Sequence, residues 1–129
     1  MTKTIQASGL TTFEVAPDGE DIALNVVEAD GTAASLRMPF ACLIQLLMTL
    51  PDIQTRALRA RHQDPTLRVV YRVGSWALEA SNDPAKSILT LITEDGFKAS
   101  FALLTEDIID MGEIASRTLS GISAAPLPH

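Results

Sequence analysis

Two stretches decide the fold: "EADGTAAS" at Glu28–Ser35 and "TEDGFKAS" at Thr93–Ser100. In each, an Asp-Gly pair separates two alternating segments. Asp-Gly is the strongest short hairpin signal, because both residues tolerate positive φ. Upstream of the first pair, "DIALNVVE" (residues 21–28) places Ile22, Leu24 and Val26 on one face at period two; downstream, "TAASLRM" (residues 32–38) resumes with Ala34, Leu36 and Met38 inward. An earlier strand, "LTTFEV" at residues 10–15, joins them through the Pro17-Asp18-Gly19 turn. The second half reads the same way. "LRVVYRV" is a strand, Gly74 a bend or bulge, and "SWALEA" its continuation. "SNDPAK" turns into "SILTLIT", and after Asp95-Gly96 "FKASFAL" returns with Phe97, Ala99, Phe101 and Leu103 on one side.

Each half then changes period. "FACLIQLLMTL" (residues 40–50) is apolar almost all round, which predicts a buried helix. Pro51 cannot continue it unkinked but suits the first turn of another, so residues 51–62 are expected to form a separate short helix. "TEDIIDMGEIASRTLSG" predicts a helix with Thr105 as N-cap, Glu106 and Asp107 at its positive end and Gly121 as its stop, followed by a frayed tail.

Placing Gly9 on Gly74 with two one-residue gaps matches Glu14 to Glu79, Asp18 to Asp83, Ile22 to Ile88 and Glu28 to Glu94. It also matches Asp30-Gly31 to Asp95-Gly96, Leu36 to Phe101, Met38 to Leu103 and Leu43 to Ile108. Two hairpins joined to helices can converge on such a pattern, but strands, turns and helix onsets agree in order, so we read an internal duplication. The expected fold is α+β: tandem β-β-β-α repeats, or β-β-β-β-α if the strands break at Gly9 and Gly74, related by a pseudo-twofold axis, with helices packed on antiparallel sheets. The chain is expected to be one domain, 1–129, with repeats at about 2–50 and 67–119 joined by a linker helix at 51–62.

Composition narrows the function classes. A hydrophobic content of 47% fits a folded protein. The single cysteine, Cys42, excludes an internal disulfide and suits a reducing compartment. The N-terminus lacks the apolar region of a secretory signal, and the longest nearly apolar run, Met38–Leu50, is short of the ~20 residues of a membrane span. The expected location is cytoplasmic. A net charge of −6 speaks against a generic nucleic-acid binder.

Chemistry-bearing motifs are sparse. The two histidines, His62 and His129, end a basic helix and the chain. Cys42 is expected inside an apolar helix as a protonated, inert thiol. Glu28/Asp30 and Glu94/Asp95 offer oxygens to a hard cation, yet backbone demands alone explain Asp-Gly turns. No cofactor or metal is expected and no residue is assigned a catalytic role. One local feature pulls towards a ligand: Arg56, Arg59, Arg61, Arg68 and Arg72 are half of the ten basic residues, opposed there only by Asp64. Arg56 and Arg59 are expected on one helix face and Arg68 and Arg72 on one strand face, with Tyr71 between. Guanidinium groups suit phosphate or carboxylate; the alternative is pairing with the chain's own sixteen carboxylates.

The order of strands and helices over residues 2–119 resembles the Whirly and transcriptional-coactivator type of single-stranded-DNA-binding fold. That resemblance implies binding through basic and aromatic residues on the sheets; it carries no motif and no site residue. Size and charge also resemble the small acidic dimeric chaperones of bacterial secretion systems, although those begin with a helix. The expected function is a non-enzymatic, bacterial-type interaction or scaffolding protein. Weak single-stranded nucleic-acid binding by the arginine segment is the alternative, and a secretion-chaperone-like protein or an enzyme comes third. Because residues 40–50 carry no charge, their outward side must be covered, by the 51–62 helix or by a second copy. A homodimer through Leu43, Leu46, Leu47 and Leu50 is expected.

Overall fold

A computed structural model describes residues 1–122, so the expected frayed tail and His129 lie outside the described residues. The chain divides into two compact units, Met1–Val69 and Val70–His129. The first contains β1 (Ala7–Val15), β2 (Asp21–Glu28), β3 (Ala33–Pro39) and α1 (Phe40–His62); the second contains β4 (Val73–Ala80), β5 (Lys86–Thr93), β6 (Lys98–Leu104) and α2 (Thr105–Ile122). Each unit is an antiparallel three-stranded meander, β1-β2-β3 or β4-β5-β6, followed by a helix. The α+β class and the tandem β-β-β-α repeat are therefore as expected.

The two units keep one register. In the first, Phe13 and Leu36 flank Leu24; in the second, Leu78 and Phe101 flank Leu89. Each trio maps onto the other by a single shift of 65 residues (13 to 78, 24 to 89, 36 to 101). The turns obey the same shift. Glu28 N–H donates to Thr32 O and Thr93 N–H to Phe97 O, each at 2.8 Å. Phe40 N–H donates to Glu20 O at 3.1 Å and Thr105 N–H to Ala85 O at 2.9 Å, which ties the start of each helix to the end of the first turn of its unit. The two gaps expected from residue identities are thus unnecessary: Ile22 corresponds to Ser87 and Glu28 to Thr93. Residue identity misleads there because the alternation of apolar positions and the turn geometry, not single matching residues, set register.

Local chemistry accounts for the turns. Gly31 (φ 90°) and Gly96 (φ 98°) take the left-handed position, while the aspartates before them keep negative φ. Asp30 Oδ1 instead accepts the Thr32 N–H at 2.9 Å, the Asx-turn use of that side chain. Gly9 and Gly74 sit at register shifts, so each sheet keeps three strands with no break into a fourth. Leu67–Arg72, expected as strand, is not: β5 ends at Thr93, so ladder partners run out at Val73. One bond, Glu94 N–H to Arg72 O at 3.2 Å, continues the pairing.

The separate linker helix is also corrected. Phe40–His62 is one helix with Pro51 inside it. Proline removes a single donor, leaving the Leu47 carbonyl without its intrahelical partner, and the helix-favouring residues on both sides carry the helix through. It ends at Gln63, which adopts the left-handed conformation (φ 50°), with Asp64 N–H closing onto Arg59 O at 3.1 Å. Likewise, α2 runs to Ile122, past the expected stop at Gly121.

Burial is shallow in both units. In the first, Ile22 (5%), Ala23 and Met38 (5%) are buried; in the second, Thr90 and Thr93 are. Ile22 and Met38 are ladder neighbours close to the start of α1, where Leu43 is half-buried. Ala23 lies on the opposite, polar face, between Glu14 and Arg37 in the ladder.

The proline makes a direct test. Replacing Pro51 with Ala restores one intrahelical donor and is expected to stabilise the fold by about 1–3 kcal/mol in urea unfolding. An unchanged or lower unfolding midpoint would show that the helix is interrupted there.

Candidate functional site

In an antiparallel ladder, directly opposed side chains share a face and alternate residues switch faces. On the first sheet this gathers Phe13, Val15, Ile22, Leu24, Leu36 and Met38 on one face. The other face holds Thr12, Glu14, Asn25, Ser35 and Arg37, with Asn25 bonded to Thr12 Oγ1 at 2.9 Å and Arg37 paired with Asp21. The second sheet repeats the division, with Trp76, Leu78, Leu89, Leu91, Phe101 and Leu103 on its apolar face.

Those apolar faces are open. Phe13 is 70% exposed and Trp76 68%, and Leu10, Val15, Leu36, Leu78 and Phe101 are exposed as well. Within its unit, α2 packs on β6, the strand it follows, and α1 on β3 and β2. Neither lies across its whole sheet. Every residue of α2 from Ile109 to Ser120 is exposed. Of the four leucines expected at a dimer contact, Leu43 and Leu46 are half-buried, whereas Leu47 and Leu50 are exposed beside Phe40 and Ile44. Cys42 is exposed too, against expectation, because nothing in its unit covers that side of α1.

The areas give this scale. The chain exposes 10687 Å². A folded monomer of 13.8 kDa exposes about 6,600 Å², and two separately folded units of half that mass about 8,000 Å². Seven fully extended residues expose roughly 1,000 Å², so residues 123–129 cannot account for the difference; about 1,700 Å² of surplus remains.

The five arginines fall in both units. Arg56, Arg59, Arg61 and Arg68 belong to the first unit and Arg72 to the second. Arg56 Nε pairs with Asp52 Oδ2 at 3.1 Å and Arg72 Nε with Glu94 Oε1 at 3.3 Å, both on exposed surface. Arg59 Nε donates to the Leu67 carbonyl at 2.8 Å, pinning the segment after α1 to its last turn. Arg61 and Arg68 are exposed. Arg68 and Arg72 do not share a strand face, since neither lies in a strand. Tyr71, which precedes Arg72, stacks on Phe97 of the β5–β6 turn with ring centroids 5.7 Å apart. A shallow depression there is lined by Val70, Tyr71, Arg72, Glu94 and Asp95.

Among the described residues no group of three or more His, Cys, Asp or Glu is arranged to hold a metal ion. No helix among them is long and apolar enough to cross a membrane. No protein-family model, no curated protein and no solved structure matches the chain.

Asp64, the one acid within the basic segment, has its own electrostatic signature. Its Oδ1 accepts from Thr66 Oγ1 at 2.6 Å and from the Thr66 N–H at 2.9 Å. These bonds, the side-chain one foremost, hold its carboxyl below the usual aspartate range, with a smaller contribution from the Arg59 charge. Because the native pKa is lowered, this contribution to stability is complete above the unfolded value of about 3.9 and disappears as pH falls through the lowered native value. Thr66→Ala is expected to raise the Asp64 pKa towards the ordinary value in a carboxyl NMR titration. An unmoved pKa would assign the shift to Arg59 instead.

Proposed function

We propose that this chain is a non-enzymatic, cytoplasmic interaction or scaffolding protein that works through protein contacts, and that it does so as a homodimer. One observation carries the reading: α1 is continuous through Pro51. Residues 51–62 extend the helix and so cannot fold back over Phe40–Leu50, which removes the cover from within the helix. An uncharged helical surface that includes Phe40, Ile44, Leu47 and Leu50 then stays in water unless a protein partner covers it. A twofold axis lets one such patch meet its own copy, the simplest closed assembly. The surplus of about 1,700 Å² per chain, about 3,400 Å² over two copies, falls within the roughly 2,000–5,000 Å² total that obligate dimers bury between them.

A second reading, binding of single-stranded nucleic acid as the Whirly-like element order implies, draws support from the Tyr71–Phe97 stack and the exposed Trp76. Arg61 and Arg68 extend into solvent, and the exposed pairs of Arg56 and Arg72 are worth only about 0–1 kcal/mol, little enough for a phosphate to displace.

Light scattering at micromolar concentration tests the first reading, with a mass twice 13.8 kDa expected. Leu47→Asp with Leu50→Asp should lower that mass to the single chain. A clean monomer mass for the unaltered protein would refute the dimer. A labelled oligonucleotide separates the two readings: salt-dependent binding abolished by Arg56→Glu with Arg59→Glu would favour nucleic acid.

A further inference from the structure

Resting on the homodimer reading, we infer that the copies exchange their last helices, α2 of each chain lying across the apolar face of the β4-β5-β6 sheet of the other. Three observations converge within the second unit alone. First, α2 is amphipathic. Ile108, Met111, Ala115 and Leu119 recur at helical spacing on one side, while Glu106, Asp110, Glu113 and Arg117 occupy the opposite side. From Met111 onwards that apolar stripe is exposed. Second, the sheet it follows has an open apolar face centred on the Leu78–Leu89–Phe101 row, with Trp76 beside it. An antiparallel sheet with one apolar face is completed by helices on that face, yet α2 packs chiefly on β6 and is exposed from Ile109 to Ser120.

Third, the dimensions match. Eighteen residues of helix span about 27 Å at 1.5 Å per residue. Eight residues of β5 span about 27 Å at 3.4 Å per residue. A helix about 10 Å across covers three strands spaced about 4.8 Å apart. Packing sheet on sheet would leave both α2 stripes in water. Exchange covers the stripe and the sheet together, and the reciprocal arrangement closes under a twofold axis.

The test places cysteines on separate chains in a Cys42→Ser background. One population carries Leu78→Cys and the other, distinguishably tagged, Ala115→Cys. Oxidising the mixture should produce disulfide-linked pairs containing one chain of each kind, in excess over either self-linked pair. The sole tryptophan supplies a second readout on the unaltered protein. Trp76 should be shielded from acrylamide quenching at concentrations where the dimer mass is observed, and become several-fold more accessible on dilution. A dimer mass with Trp76 freely quenched, or with no mixed disulfide, overturns the helix exchange while leaving self-association standing. A monomer mass overturns both.

Discussion

Everything in this structure turns on apolar sheet faces that their own helices do not cover. Each unit builds a sheet with one apolar and one polar side, as period-two patterning dictates, and follows it with a helix that packs beside the last strand rather than across the apolar face. The outcome is a chain with correct secondary structure and almost no core. Ile22 and Met38 are buried at the start of α1, while Phe13 and Trp76, which belong to the same kinds of face, remain in water. Burial of apolar area, at about 25 cal/mol per Å², is the dominant favourable term in folding. That so much of this area stays open is the ground for proposing that a second copy of the chain completes it.

The backbone was more legible than its consequences. Asp-Gly at 30–31 and 95–96, the glycines at the strand irregularities and the change of period at Phe40 and Thr105 were all readable, because local geometry demands particular residues there. The 65-residue register was half-visible. Identities such as Ile22 with Ile88 pulled the comparison off by one, whereas backbone bonds such as Phe40 N–H to Glu20 O and Thr105 N–H to Ala85 O restore it. Pro51 reads as a break because a proline costs about 3 kcal/mol in a helix interior; the sequence shows that local cost, but not that the helix carries on through it.

The candidate site was less legible still. A run of arginines in sequence says nothing of how each head group is engaged. Arg59 is occupied by the Leu67 carbonyl, Arg56 by its helical neighbour Asp52, and Arg72 lies in the other unit. The apolar sheet faces are visible as alternation, which on its own points them inward. Periodicity identifies which side chains share a face, but it cannot say whether that face is covered by its own helix or by another molecule. Leu47 and Leu50 were within reach of sequence reasoning because a helix without a charged side has nowhere to be solvated. Trp76, Leu78 and the α2 stripe were not, because each belongs to an ordinary amphipathic element whose partner is normally found nearby.

The central claim is that copies of the chain complete each other's core, which couples folding to association. A protein of that kind unfolds at a midpoint that depends on its own concentration, since mass action favours the bound state. The direct measurement is the thermal or urea midpoint of the unaltered protein over roughly a hundredfold range of concentration, where linkage supplies up to about 2.7 kcal/mol. The account predicts a midpoint that climbs steadily with concentration. A midpoint that stays constant across that range would contradict it, because the chain would then be folding to its full stability alone.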